Sequence, residues 1–320
     1  MDIWGVNKLE KINMNRLTIV LLLLVLGTGF QSLSQSTEMD YVYVEKLENW
    51  QRSMTRWKTK YFVPLTGLYK LKEGPNTFGS GEKVDIVIQS GSAPGFMGTI
   101  IKKGKSISYE APSDLLVTKK ADTVQNITYS FDSDRNSEVL TSGFMHWFIQ
   151  FVNEDYYLRV RDEVSPLIRE FQPFDYYDAN GEFIVEGIFK PYKNHKVFKV
   201  NNVLHSTIEK TFIGSLTFRY QGEKYTLEVL DGYFLMFSDD TNGDTTFPIG
   251  RYVRLDEPDE NGVIKIDFNY SFSPPRSVSK YTTCEYPPAQ NYLPFRVEAG
   301  EMYDNEYGDY KVPSHLQRKK

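Results

Sequence analysis

The sequence predicts an all-β protein preceded by one helix, and three observations predict it. Tyr and Phe occur 22 and 21 times and bring the aromatic fraction to 15%, a bias that favours pleated, half-buried strands. Short apolar runs recur along most of the chain at strand length. Turn dipeptides punctuate them, as in Gln221-Gly222, Asp231-Gly232 and Asn261-Gly262, where a glycine supplies the positive φ of a tight hairpin.

The first segment carries an export pattern. Lys8, Lys11 and Arg16 precede the apolar run Leu17 to Leu26, and Gly27-Thr28-Gly29 and Ser32-Leu33-Ser34 follow, in the charged, apolar, small-residue order of a secretory signal peptide. Residues 1–34 are therefore expected to be a signal, cut after Ser34 or two residues later, with Met14 as an alternative start. An apolar run of about ten residues falls short of the roughly twenty that span hydrocarbon, so no stable membrane span is expected after cleavage. The protein is expected to be exported, periplasmic or extracellular.

From 38 to 60 an amphipathic helix is expected. Val42, Leu47, Trp50, Met54 and Trp57 recur at helical spacing between charged positions, and Pro64 stops the pattern. Trp50 and Trp57 read as a packing stripe rather than a ligand cage.

Residues 61–162 then read as a β-sandwich. Its strands are expected at Gly67–Leu71, Val84–Ile88, Gly98–Ile101 and Ser106–Tyr109, followed by a hairpin from Phe144 to Arg161 that turns at Asn153-Glu154-Asp155. Ser165 to Phe171 suits a short helix, and the acidic, aromatic stretch Phe174-Asp175-Tyr176-Tyr177-Asp178 marks the boundary.

A second antiparallel β domain, barrel-like or a sandwich, is expected over 175–303. Its strands fall at 183–189, 196–200, 215–220, 224–230, 233–237, 251–255 and 263–268, and a polar tail occupies 304–320. A chain of 320 residues is long enough for two such cores.

Composition excludes several functions. The net charge is −5 and the only basic run is Arg318-Lys319-Lys320, so the footprint of a nucleic-acid binder is missing and no nucleic-acid partner is expected. Cys284 is the single cysteine; without an intramolecular disulfide the fold must be held by packing, and Cys284 reads as a buried structural thiol. The sequence contains no nucleophile elbow, phosphate loop, zinc-binding helix or paired-cysteine knuckle.

Polar clusters between 239 and 301 supply the candidate site: Asp239, Thr241, Asn242, Thr246, Arg251, Asp267 and Asn269. The run Asp239-Asp240-Thr241-Asn242-Gly243-Asp244 offers several oxygens, but it lacks the spacing and terminal bidentate Glu of a calcium loop and reads as an Asx-rich turn. No metal or cofactor is expected. Arg251 opens a strand, where it either grips a ligand carboxylate bidentately or pins the loop through a buried pair with Asp239 or Asp267; the second reading is favoured. The loops at 239–244 and 269–284 are expected to converge at one end of the second domain.

These clusters resemble the bacterial domain-of-unknown-function family 1684. The resemblance rests on Asp239 to Gly243, Gly250-Arg251-Tyr252, Asp267-Phe268-Asn269, Cys284, Pro287-Pro288, Asn291, Leu293-Pro294 and Ala299-Gly300-Glu301, and extends upstream through Leu65 to Leu68, Leu71 to Gly74, Asn76 to Ser80 and Gly91 to Pro94. It covers about residues 40–303 and implies no established substrate or reaction. The chain departs from the family pattern at Phe247, Pro248, Tyr270 and Arg276, the last standing where a first cysteine is frequent.

A second resemblance, to the forkhead-associated sandwich, concerns Glu73 to Ser80, Val84 to Ile88 and Ser92. Ser80 and Gly95 stand where that family has its phosphate-binding Arg and its His, so the resemblance implies the fold without the phosphopeptide function.

The function expected is a non-catalytic binding or scaffolding module of the bacterial envelope that takes a small-molecule, glycan or peptide ligand. The alternative is a hydrolase-like enzyme using Asp239 or Asp267 as base with Arg251 as clamp.

Overall fold

The protein is described over residues 39–304 by a computed structural model. The expected signal at 1–34 and the tail beyond 304 lie outside the described residues. Helix α1 spans Tyr41–Tyr61, in agreement with the apolar periodicity. Its chain leaves through N–H groups of Phe62 and Val63 that both donate to the Lys58 carbonyl, at 2.9 and 3.1 Å. Pro64 follows, and the residue before a proline is driven out of helical geometry.

Eleven strands follow α1. They are β1 (Leu65–Lys70), β2 (Gly74–Gly79), β3 (Ile86–Val87), β4 (Gly98–Lys103), β5 (Ser106–Glu110), β6 (Thr118–Lys119), β7 (Asp122–Thr123), β8 (Asn126–Thr128), β9 (Leu140–Ser142), β10 (Met145–Val152) and β11 (Asp155–Asp162). They form two sheets, ordered β1-β11-β10-β9-β6-β7 and β3-β2-β4-β5-β8. Both sheets bury residues in one core, which includes Phe78, Ile100, Tyr109, Trp147, Leu158 and Val160. Alternation decides which side chains enter it. Met145, Trp147 and Ile149 of β10 are buried, while His146, Phe148 and Gln150 face the other way. The hairpin between β10 and β11 turns on Asn153 and Glu154, both at positive φ (48° and 68°), the geometry of a tight primed turn.

The strand expected over Val84–Ile88 shrinks to Ile86–Val87. Asp85 draws the chain into a turn by accepting from the Thr77 N–H at 2.9 Å and the Thr77 hydroxyl at 2.5 Å. The short helix α2 (Pro166–Glu170) lies within the segment read as helical.

The third sheet is antiparallel throughout. Its strands are β12 (Ile184–Asn201), β13 (Thr207–Tyr220), β14 (Glu223–Leu230), β15 (Phe234–Phe237), β16 (Arg251–Arg254) and β17 (Val263–Asp267), in the order β16-β15-β14-β13-β12-β17. The two strands expected at 183–189 and 196–200 are one long strand, β12, interrupted in register between Pro191 and Lys196. Proline has no N–H to give the ladder, so the break falls there.

Both faces of this sheet are covered. Leu216, Leu227, Leu235, Phe237, Val253, Ile264 and Ile266 point to a core closed by Leu293, Val297 and Ala299. The opposite face carries Phe212, Leu230, Met236, Tyr252 and Phe272, and Trp50, Met54 and Trp57 of α1 pack on it. The fold is thus all-β around one long helix. Among the described residues the chain from Tyr41 forms one compact unit, with separate hydrophobic cores over 69–160 and 183–299.

Candidate functional site

Pleat parity sorts the candidate residues. In β16, Arg251 and Val253 lie on the side of the second core, opposite Phe237 and Leu235, while Tyr252 and Arg254 lie on the side of α1, opposite Met236 and Phe234. In β17, Ile264 and Ile266 belong to the second core, so Lys265 and Asp267 lie on the α1 side. Arg251 and Asp267 are therefore on opposite faces of one sheet.

Arg251 is fully buried, and its two Nη groups are met inside the core while its Nε has no partner. Its Nη2 donates to Asp239 Oδ2 at 2.9 Å, to the Val297 carbonyl at 2.7 Å and, at longer range, to Thr241 Oγ1 at 3.4 Å; its Nη1 donates to the Ala299 carbonyl. The guanidinium also lies 5.3 Å from the centre of the Phe237 ring. Asp239 Oδ1 accepts from the Thr241 N–H and hydroxyl, at 2.8 and 2.6 Å, and from the Val297 N–H at 3.2 Å. Thr241 and Thr246 share a hydroxyl contact at 2.7 Å, and Asn242 donates to Thr246 at 2.9 Å while accepting from the Asp239 N–H at 2.7 Å.

Five of the seven candidates thus form one closed network that fastens the 239–246 loop to the 295–299 segment. Gly250 allows Arg251 its place: its φ is 108°, and a Cβ there would meet the Phe237 carbonyl at 2.5 Å.

Asp267 and Asn269 form a second group. Asn269 donates to Asp267 at 3.0 Å and is tied to Asn180 through both its oxygen and its nitrogen, each at 3.0 Å. Tyr43, reaching down from α1, donates to both Asp267 oxygens at 3.0 and 2.9 Å. Burial and the adjacent Asp267 charge push the Tyr43 phenol far above its ordinary range, so it stays a donor. Among the described residues, no hydrogen bond or ion pair joins this group to the Arg251 network.

Asp267 also lines a cavity of about 800 Å³ between α1 and the two edge strands of the sheet. Trp50, Met54 and Trp57 wall it from the helix, and Phe234, Tyr252, Tyr270 and Phe272 from the sheet side. Trp50 lies edge-on to Tyr270 at 5.0 Å and to Phe272 at 6.2 Å. Charged groups stand among these rings: Lys46, Arg254 and Lys265 with Asp256, Asp267 and Glu285. Glu285 is engaged by Lys210 at 2.9 Å.

The helical periodicity marks Trp50, Met54 and Trp57 as a packing stripe. They do pack, and they also leave this space. A width mismatch of this kind between helix and sheet is not written in a periodic pattern.

Two further groups escape a motif-based reading. Lys58, 1% exposed, pairs with Glu301, also 1% exposed, and Tyr176 donates to the other Glu301 oxygen at 3.2 Å. Burial pushes the Lys58 ammonium down and the Glu301 charge pulls it back up. The signal for Lys58 was present, since it lies four residues beyond Met54 on the apolar stripe.

Cys284 is buried and unpaired, and burial pushes its thiol up to about 11. The backbone N–H of Arg276 is directed at that sulfur. Ser80 spends its hydroxyl on the Ala93 carbonyl at 2.6 Å.

Among the described residues, no three His, Cys, Asp or Glu side chains gather as a metal site requires. No helix among them is long and apolar enough to cross a membrane.

No curated protein matches the chain. It is similar to an uncharacterized protein of Haloarcula marismortui, known from a solution NMR structure, with 27% identity over 45% of this chain and 83% of that one and a TM-score of 0.37. The sequence model of the family described as "Protein of unknown function (DUF1684)" matches residues 169–302, a span that contains the Arg251 network, Asp267 and Glu301. Over that span the chain is similar to this family of unknown function.

Proposed function

We propose that the protein is a non-catalytic binding module of the bacterial envelope, and that its ligand site is the aromatic cavity beneath α1. One observation carries this reading. The best acid–base candidates are occupied by internal bonds, Asp239 and Arg251 by each other and Asp267 by Tyr43 and Asn269, beside an aromatic cavity of about 800 Å³. A cavity of that size, lined by apolar rings with a few polar groups, suits a small organic molecule. A hydrolytic role would need an accessible base, and Asp239 is 3% exposed. Export is supported by the charged, apolar and small residues from Lys8 to Ser34.

Native mass spectrometry of the mature protein purified from its host tests the binding role. Wild type should carry a bound small molecule that Met54→Arg, which fills the cavity with a charged side chain, no longer retains. Identical retention by both proteins, or a wild type with no added mass across a metabolite panel, would remove the reading. The same spectra report export, since the mature chain should begin after Ser34 or Ser36.

A further inference from the structure

Arg159 is buried with two of its three guanidinium nitrogens unpaired. It sits in the middle of β11, 8% exposed, and its Nε and Nη2 find no hydrogen-bond acceptor among the described residues. Those two atoms form the side-on edge that meets a carboxylate or phosphate with two parallel bonds.

The neighbours of β11 decide where that edge points. Leu158 and Val160 enter the first core, so Arg159 faces away from it, level with Leu68 of β1 and Phe148 of β10. Gln150 lies one diagonal step away on the same face of β10, within reach of a long side chain, and its Oε1 is also buried and unpaired. Thr66, at the bulge in β1, has an unpaired buried hydroxyl.

Across the seam, Cys284 is close enough to Arg159 to influence its ionisation. Its carbonyl holds the N–H of Val203 at 3.0 Å, and the adjoining Asn202 has an unpaired buried Nδ2. Nine in ten buried polar groups in folded proteins have partners, and four residues with orphaned groups along one seam depart from that pattern.

The chemistry of the seam selects the occupant. Burial draws the Arg159 guanidinium down to about 10, which leaves it charged at neutral pH. The Cys284 thiol, pushed up to about 11, is neutral there, and the nearby Arg161 has its own charge met by Glu163 at 3.0 Å. No carboxylate is among the groups that perturb Arg159. The Gln150 amide can present either its oxygen or its nitrogen, because the two ends are interchangeable in assignment. Glu163 is spent on Arg161 and Glu285 on Lys210, so the charge left unmet at the seam is that of Arg159. An isolated buried guanidinium is strongly disfavoured unless an anion or equivalent acceptors meet it.

We propose that the seam between the β11 face and the Asn202 and Cys284 segments binds a small oxyanion, held by the Nε–Nη2 edge of Arg159. The occupant is a carboxylate or a phosphate-type group, and two arms of the test tell them apart.

Thermal unfolding of the mature protein is followed against inorganic phosphate and, separately, acetate, with ionic strength held constant by sodium chloride. Wild type, Arg159→Met and Arg159→Lys are compared. The wild-type midpoint should climb by about 5 °C or more once the preferred anion exceeds its Kd a hundredfold. Phosphate should be the stronger for a tetrahedral occupant and acetate for a planar one. Arg159→Met should not climb, and without oxyanion it should be at least as stable as wild type; Arg159→Lys should climb less.

Parallel climbs in wild type and Arg159→Met, or a flat wild type in both anions, overturn the proposal. A measurement on wild type alone guards against a variant that fails to fold. The Arg159 Nε–H resonance should move as the anion is added, and a resonance that stays in place also overturns the proposal.

Discussion

Replacing Lys58 by Met should loosen the helix from the sheet more than any surface change on α1. The ammonium contacts Glu301, lies 3.4 Å from the Ser277 hydroxyl and sits 4.6 Å from the centre of the Phe174 ring. Its partner carboxylate is 1% exposed, so Lys58→Met leaves Glu301 buried with the Tyr176 hydroxyl as its main remaining donor. Breaking one side of a buried pair costs about 3–5 kcal/mol. For a protein of this size that corresponds to a fall in Tm of roughly 10 °C. Removing both charges is a different perturbation, because no uncompensated charge stays behind; Lys58→Met with Glu301→Leu should recover most of the loss.

Urea unfolding followed by tryptophan fluorescence measures this well, because Trp50 and Trp57 report whether α1 is seated. A single variant within about 1 kcal/mol of wild type would refute the reasoning, since losses that small are ordinary for exposed pairs. A double variant as unstable as the sum of the two singles would refute it as well.

Arg251→Met should be destabilising by about 3–5 kcal/mol in the same assay, because it strands Asp239 and two carbonyls in the core, and Arg251→Lys should rescue little, since one ammonium cannot reach all of these acceptors. Stability should also fall in alkali. Burial, with help from Asp304, pushes Tyr303 up to about 12, and burial with nearby Asp267, Glu301 or Cys284 pushes Tyr43, Tyr176 and Tyr252 up as well. Unfolded tyrosines release their protons near about 10 while these folded ones keep theirs, so stability should be level below that pH and decline above it; a pH series of urea midpoints checks the sign. Cys284 should resist iodoacetamide at pH 8 in the native state and react fully once unfolded, and prompt native labelling would show that the thiol is neither buried nor raised.

Much of the fold was legible because its rules are local. The α1 stripe, the β10–β11 hairpin and the turns at Gln221-Gly222 and Asn261-Gly262 each announce themselves within a few residues. Long-range choices were less legible. The sequence offered Asp239 and Asp267 alike as partners for Arg251, and strand parity within each run was available to separate them. What could not be read was which face each edge strand turns to the second core, because that depends on the closing segment at 293–299. Arg159 shows the same limit. Its place on a strand was within the expected hairpin, but its missing partner becomes visible only when the seam around Cys284 is assembled.

The helix connects these observations. Tyr43 fastens one end of α1 to Asp267, and Lys58 fastens the other to Glu301. The two attachment points are fifteen residues apart on a continuous helix, about 22 Å at 1.5 Å per residue. Trp50, Met54 and Trp57 lie between them, and so does the cavity. A helix held by packing alone would be free to settle onto the sheet and close such a space, because apolar contact is non-directional. Polar bonds at both ends fix its height instead, since Tyr43 must reach a carboxylate on β17 and Lys58 must meet Glu301 in the interior. The aromatic side chains between the two attachments can then leave a cavity without the helix collapsing into it. On this reasoning the polar groups of α1 do not compete with the apolar stripe; they hold the helix at the height that keeps a ligand-sized space beneath it.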